Sequence, residues 1–170
     1  MYSLIDKSVV KLDSLLNSSK TISLDVISSP GLEILKPRVF VKFSGLGYNV
    51  KSTVENGATK ISYNIVNCKT EYSDLRKDGW FGSTILDRKI SVNVSSIITF
   101  ADGSIKPVEF TESITDIVKT DDIKMIEDAS LTFTQSQIPQ IPFFQNLLEP
   151  VIVVGALITT VILLFTIRGK

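Results

Sequence analysis

From Val151 to Ile167 the chain carries no charged residue, and its only polar side chains there are Thr159, Thr160 and Thr166. At about 1.5 Å rise per residue, a helix of that length nearly crosses a hydrocarbon core of roughly 30 Å. Phe143, Phe144, Leu147 and Leu148 extend the apolar surface to the membrane boundary. A buried core helix would carry a polar stripe, which three threonines do not make. The spacing therefore predicts a single transmembrane helix over 143–167, with Pro150 in its first turn.

That helix dictates the rest of the organisation. A soluble α+β domain is expected over 1–118, an acidic and then Pro/Gln-containing linker over 119–142, and a short basic tail over 168–170. Arg168 and Lys170 follow the span, whereas no Lys or Arg lies between Lys124 and the helix. Loops flanking a span carry their Lys/Arg excess on the cytoplasmic side, which places the tail inside and the domain outside. A domain exported ahead of a C-terminal anchor needs an N-terminal signal, and Met1–Asp6 has neither a basic stretch nor an apolar core. The primary expectation is a signal peptide upstream of this sequence. The alternative is a tail-anchored protein with a cytosolic domain.

Within the domain, periodicity gives the order α-β-α-β-β-β-β. Ile5, Val9, Leu12 and Leu16 recur at helical spacing, predicting a helix over 3–18. Ile22, Leu24 and Val26 alternate with polar residues, as in a half-buried strand. Ser29 reads as an N-cap and Pro30 as the first residue of a second helix, with a kink or split near Lys36 because of Pro37. Gly45 and Gly47 end that helix. A strand over 48–54 then closes at the Asn56-Gly57 turn.

The second half is β. Ile61, Tyr63 and Ile65 share one parity, and Val66, Cys68, Thr70 and Tyr72 take up the other, which places a bulge near Ile65-Val66. From Arg88 to Phe100 the alternation is clean. A three-residue loop at 101–103 pairs Val94 with Phe110, Ile90 with Ile114 and Arg88 with Asp116, apolar against apolar and charge against opposite charge. Gly103 should be left-handed there. A two-residue loop would set apolar residues opposite polar ones. Residues 119–142 read as an extended spacer with one helical turn at 121–126.

Chemistry is scarce. Lys+Arg and Asp+Glu balance at 18 each, so no basic field draws nucleic acid, and the chain has no histidine. Cys68 is the one cysteine and sits mid-strand among apolar neighbours, as a structural residue rather than a nucleophile. Gly45-Leu46-Gly47 lacks the third glycine of a dinucleotide loop. The acidic pairs Asp121-Asp122 and Glu127-Asp128 lack calcium-loop spacing. No catalytic, cofactor-binding or metal-ligating residue is expected, and the chain is read as a non-enzyme.

Two features point to contacts instead. The segment 73–83 brings Arg76 and Lys77 close to Trp80 and Phe81, the composition of a protein-contact patch. The alternatives are that Trp80 or Phe81 folds back over the open end of the sheet, or that Trp80 dips into the membrane interface. In the anchor, Gly155, Ala156, Thr159 and Thr160 form a small-residue stripe on which another helix could pack.

The helix-strand-helix order ending in Gly45-Leu46-Gly47-Tyr48, followed by antiparallel strands, resembles small bacterial envelope domains of the curli-secretion CsgG and flagellar FlgO type. That resemblance covers residues 3–118. The tail, from Leu131-Thr132-Phe133-Thr134 through Leu148-Glu149-Pro150 to Arg168, is similar to C-terminal anchors of Bacteroidota-type envelope proteins. Together these imply a single-pass protein of a bacterial inner membrane, its domain periplasmic and its C-terminus cytoplasmic. The function they imply is an interaction or assembly module whose partners are the lipid bilayer and an envelope protein or a second copy. The alternative is a membrane-tethered carrier or sensor with an apolar-ligand cavity lined by Phe43, Val94 and Phe110.

Overall fold

The computed structural model describes residues 1–16, 20–51, 58–79, 82–140 and 143–167, the last with side chains from 151 to 166. The chain divides into two compact units, Met1–Gln137 and Ile138 onward. The first is a mixed α+β domain built on one five-stranded sheet.

Helix α1 (Tyr2–Asp13) buries Leu4, Ile5, Ser8, Val9 and Leu12 along one stripe. It stops short of the expected residue 18, but Leu16 still packs on the core. Strand β1 (Thr21–Ser28) follows, with Ile22, Leu24 and Val26 buried as the alternation required.

The second helix starts later than the sequence indicated. Ser29 is not an N-cap; its hydroxyl donates to the Val66 carbonyl at 2.6 Å. Gly31 has φ +84, a left-handed conformation that breaks any helix begun at Pro30. A 3-10 turn at Glu33–Leu35 leads into α2 (Lys36–Gly45), and Pro37 falls in its first turn, where its missing N–H costs nothing. Of the two outcomes expected at Pro37, the split is the one adopted.

Strand β2 (Asn49–Lys51) lies parallel to β1, an arrangement that requires the α2 crossover between them. The Asn56-Gly57 turn falls outside the described residues. Strands β3 (Thr59–Lys77), β4 (Thr84–Thr99) and β5 (Ile105–Lys119) form a long antiparallel meander, and β3 pairs parallel with β1. The order across the sheet is β2-β1-β3-β4-β5.

The pairing details argued from parity are all present. The β3–β4 register shifts between Ile65 and Asn67, placing the bulge at Val66. Val94 pairs with Phe110, Ile90 with Ile114 and Arg88 with Asp116. The Phe100 N–H donates to the Ser104 carbonyl at 2.9 Å across the three-residue loop, with Gly103 at φ +82.

Helices α1 and α2 cover one face of the sheet. Beneath them Phe43, Tyr63, Ile61, Ile65, Val94 and Ile98 join the helix residues in one apolar cluster. Phe43 meets Tyr48 edge to face, with ring centroids 5.7 Å apart. One polar pair lies inside. The Ser8 hydroxyl donates to the Ile5 carbonyl at 2.8 Å, which leaves it to accept from the Tyr63 hydroxyl. A second, smaller cluster of Tyr72, Leu86 and Ile123 sits farther along the meander, with Leu75 and Val118 against it.

The expected linker begins as part of the domain. The chain turns at Thr120–Asp122 into the short helix α3 (Ile123–Ile126), where the one expected helical turn lies. Ile123 is 2% exposed, and the Thr70 hydroxyl donates to the Phe133 carbonyl at 2.9 Å. The compact unit thus runs to Gln137 rather than ending near Val118, because these apolar residues find partners on β3 and β4.

In the second unit, α4 spans Phe143–Ile167, the bounds expected of the anchor. Pro150 lies inside this helix, not in its first turn. Among the described residues no helix is long and apolar enough to cross a membrane. The run with described side chains, 151–166, rises about 24 Å against a hydrocarbon core of about 30 Å.

Candidate interaction surface

The hairpin between β3 and β4 carries the expected contact patch, and strand extends into much of it. Arg76 pairs with Ile85 and Lys77 with Thr84, so the connecting loop shrinks to 78–83. A register shift between Ser73 and Arg76 accompanies Asp74 at φ +51. The loop closes where the Asp78 N–H donates to the Ser83 carbonyl at 2.9 Å. Gly82 is required there, since a Cβ would fall 1.6 Å from the Asp78 carbonyl oxygen.

Arg76 is engaged within its own hairpin. Its Nη1 lies 2.6 Å from Asp74 Oδ2 and 2.9 Å from Asp87 Oδ1, and the hydrogen bond to Asp87 is the main cause of its raised pKa. It therefore stiffens the hairpin and is not a loose cation awaiting a partner. Trp80 and Phe81 lie outside the described residues, so the aromatic half of the patch stands as an expectation only.

The sheet has a second surface that the sequence reading did not single out. The face away from α1 and α2 is open and mixed, presenting Lys60, Asn67, Lys69, Asn93 and Ser95 together with the exposed Ile27, Val66 and Ile97. On that face β5 forms one border of the sheet. Phe100 and Ser104 form a hydrogen-bonded pair, so every second residue onward from Lys106 directs its backbone at β4. Ile105, Pro107, Glu109, Thr111, Ser113, Thr115, Ile117 and Lys119 consequently turn N–H and C=O outward. Pro107, which has no N–H, falls in the outward set, as a proline in a border strand should.

This border is long and regular. All pairs from Ile85–Lys119 to Thr99–Ile105 run without a register shift. Ile114 and Ile117 are 42% and 61% exposed, apolar residues on a strand with no described neighbour beyond it. On the helix side of the same strand Glu112 is buried and ion-paired with Lys11, and Arg88 holds Asp116 by two hydrogen bonds. That contact keeps the Asp116 carboxyl below its ordinary pKa. The signal for this surface was present in the sequence as a long alternation ending in Lys119 without glycine or a second proline.

Enclosed chemistry is sparse. Phe43 and Val94 are packed solidly into the core, and Phe110 lies at its margin, so the expected ligand cavity does not form around them. An apolar cleft of about 250 Å³ opens elsewhere, lined by Met1, Tyr2, Leu35, Ile90, Leu131 and Phe133. A more polar cleft of about 400 Å³ lies at the end of β1, with Ser29, Asn67, Thr70 and Gln135 in its walls. Cys68 is buried, its Sγ 3.4 Å from Met1 Sδ, and burial pushes its thiol up to about 11. A thiol in that setting is not a nucleophile at neutral pH. Among the described residues no group of three or more His, Cys, Asp or Glu side chains is gathered for a metal ion.

In α4, the Thr159 hydroxyl donates to the Gly155 carbonyl and the Thr160 hydroxyl to the Ala156 carbonyl, each at 2.8 Å. The hydroxyls are satisfied within the helix, which leaves the Gly155, Ala156, Thr159 and Thr160 stripe small and able to admit a neighbouring backbone.

No family model matches the chain. No curated protein matches it by sequence. Among solved structures it is similar to a minor lipoprotein from Acinetobacter baumannii, at 15% identity and a TM-score of 0.39, over 60% of this chain and 67% of the other. It is also similar to the rare lipoprotein B of Shewanella oneidensis, at 12% identity and a TM-score of 0.37, over 56% and 68%. A neuraminyllactose-binding hemagglutinin homolog from Helicobacter pylori aligns at 9% identity and a TM-score of 0.34, over 59% and 66%. None of the three is described as of the curli-secretion or flagellar type expected from the sequence. Likenesses this weak carry no argument about function.

Proposed function

We propose that the chain is a non-enzymatic, membrane-anchored interaction module of a bacterial envelope. The observation that carries this reading is the open border of the sheet, a fifteen-residue strand whose outer backbone groups have no described partner. Such a border adds strands from other chains, with main-chain hydrogen bonds for affinity and alternate side chains for specificity. The anchor rests on the uncharged sequence run from Val151 to Ile167. The envelope setting rests on the resemblance of the domain and tail, and the periplasmic placement of the domain on Arg168 and Lys170.

The test is extraction of membranes that contain the full chain, with alkaline carbonate, beside a chain ending at residue 142. The full chain should stay with the membrane and the shorter one should leave it. Equal release of both would sink the anchor. Protease added to the cytoplasmic face of oriented vesicles should spare the domain; cleavage from that face would make the protein tail-anchored with a cytosolic domain. Replacement of Trp80 by alanine should abolish a specific crosslink to an envelope protein, and an unchanged crosslink would remove the hairpin loop from the contact surface.

The apolar cleft beside Met1 and Phe133 favours a second reading, a tethered carrier or sensor of a small apolar ligand. At about 250 Å³ the cleft is below the usual range of ligand pockets, about 300–1,000 Å³. Mass spectrometry of the purified chain under non-denaturing conditions should find no retained lipid; a stoichiometric one would elevate this reading over the first.

A further inference from the structure

We propose that the partner of the β5 border is a second copy of this chain, joined strand to strand in antiparallel fashion about a two-fold axis at Ile114. This names a partner for the interaction module and rests on that reading for its biological use. The pairing itself follows from the strand.

The argument is one of register. A two-fold axis fixes every opposite pair once its centre is chosen, and side chains on the two faces must then match. With Ile114 facing Ile114 of the second copy, Glu109 lies opposite Lys119, and the same ion pair recurs at the other end. Phe110 meets Val118 on the helix side, while Thr111 meets Ile117 and Ser113 meets Thr115 on the open side. Glu112 comes opposite Asp116, but each is already neutralised within its own chain, by Lys11 and by Arg88.

Neighbouring registers fail this test. An axis at Ser113 sets Phe110 against Asp116 and Glu112 against Ile114. An axis at Thr115 sets Ile114 against Asp116 and Glu112 against Val118. Centres at Glu112 or Asp116 bring a carboxylate onto itself and separate Glu109 from Lys119. Among these centres, that at Ile114 alone opposes Phe110 to Val118 and Glu109 to Lys119.

The backbone agrees with the side chains. Glu109, Thr111, Ser113, Thr115, Ile117 and Lys119 all turn outward, so the Ile114-centred pairing makes about a dozen inter-chain hydrogen bonds. Pro107 lies beyond this stretch and costs none of them. No bulge or proline interrupts the border from 108 to 118. Of its three charged residues, Glu112 and Asp116 are held by Lys11 and Arg88 within the chain, and Glu109 faces Lys119 in the Ile114-centred pairing. Copies held in one bilayer would also meet at a raised effective concentration.

The experiment uses the full chain in detergent micelles, carrying Ile114→Cys, under mild oxidation. Native Cys68 is buried and stays in place. Opposed residues at the axis form a non-hydrogen-bonded pair with Cα atoms about 4.5 Å apart, within the range that a disulfide spans. A covalent dimer should form roughly ten-fold more than with Thr115→Cys, whose opposite residue is Ser113. Ser113→Pro added to the Ile114→Cys chain removes an outward N–H and should cut the dimer roughly ten-fold, with the circular dichroism unchanged.

Equal crosslinking at 114 and 115 overturns the proposal, and so does its absence at 114. A dimer abolished by Gly155→Leu but untouched by Ser113→Pro assigns self-association to α4 and also overturns it. In each of these cases a Trp80-dependent crosslink to an envelope protein would leave the interaction-module reading standing, so the two failures are told apart.

Discussion

The two apolar clusters of the domain lie on the same face of the same meander, yet they differ in depth. Beneath α1 and α2 the strands meet two amphipathic helices, and Phe43, Tyr63, Ile61 and Ile98 are fully buried. Farther along, the same alternation meets only α3 and the turn before it, and the cluster contracts to Tyr72, Leu86 and Ile123. Alternation along a strand thus sets which face is apolar. How much of that face becomes core depends on what the rest of the chain lays over it.

The comparison can be broken at its deep end first. Phe43→Ala removes an aromatic side chain that is 0% exposed and should cost about 3–5 kcal/mol, read from the denaturant midpoint of the domain's circular dichroism. A cost as small as that at the shallow cluster would mean the two are equivalent.

Alkali should strike the same deep cluster. Burial, aided by the Glu112 carboxylate, pushes the Tyr63 hydroxyl from 10.0 up to about 12. A raised pKa in the folded state means its contribution is complete below pH 10 and is lost as the pH climbs toward 12. A shift of that size corresponds to about 2–3 kcal/mol. The stability curve of Tyr63→Phe should be flatter over that interval; parallel curves would show that Tyr63 does not govern the alkaline limit.

Ile123→Ala tests the shallow end. The loss should be about 2 kcal/mol, the low end for an isoleucine truncation, because a small cluster collapses more easily around a cavity. Hydrogen exchange should rise near Tyr72 and Leu86 and remain slow near Tyr63. Uniform acceleration across the sheet would merge the two clusters into one cooperative unit.

The smallest effect belongs to the surface. Asp116→Asn breaks the Arg88 fork on β5 and should cost less than about 1 kcal/mol. The fork holds the Asp116 carboxyl below its usual range, so its contribution is present above the ordinary carboxylate pKa and fades as the pH falls. A larger loss would show that the border strand depends on this pair for its docking.

The meander was legible because local rules overdetermine it. Loop length at 101–103 and the parity of Val94, Ile90 and Arg88 admit one register, and the parity switch at Ile65-Val66 demands a bulge. The helix start was misread because Ser29-Pro30 satisfies local N-terminal preferences, while Gly31 undoes them with a left-handed turn. Strand beyond Tyr72 was hidden by Ser73-Asp74 and two basic residues, which read as loop until cross-strand partners such as Ile85 supply a ladder. Residues 119–137 carry the acidic composition of a spacer. Their docking depends on Ile123 and Phe133, whose partners are far away in sequence and invisible to any local window. Arg76 and Lys77 lie on the β3–β4 hairpin, whereas the β5 border needed the strand order before it could be seen.

The single thiol, shielded between Met1 and the sheet, gives the domain a clock for its own breathing. With its proton held to about 11 and its side chain buried at the wall of the cleft beside β1, Cys68 should react slowly with a thiol reagent, and faster when that wall opens. The rate of labelling of the unaltered chain would therefore report those openings without a residue being changed.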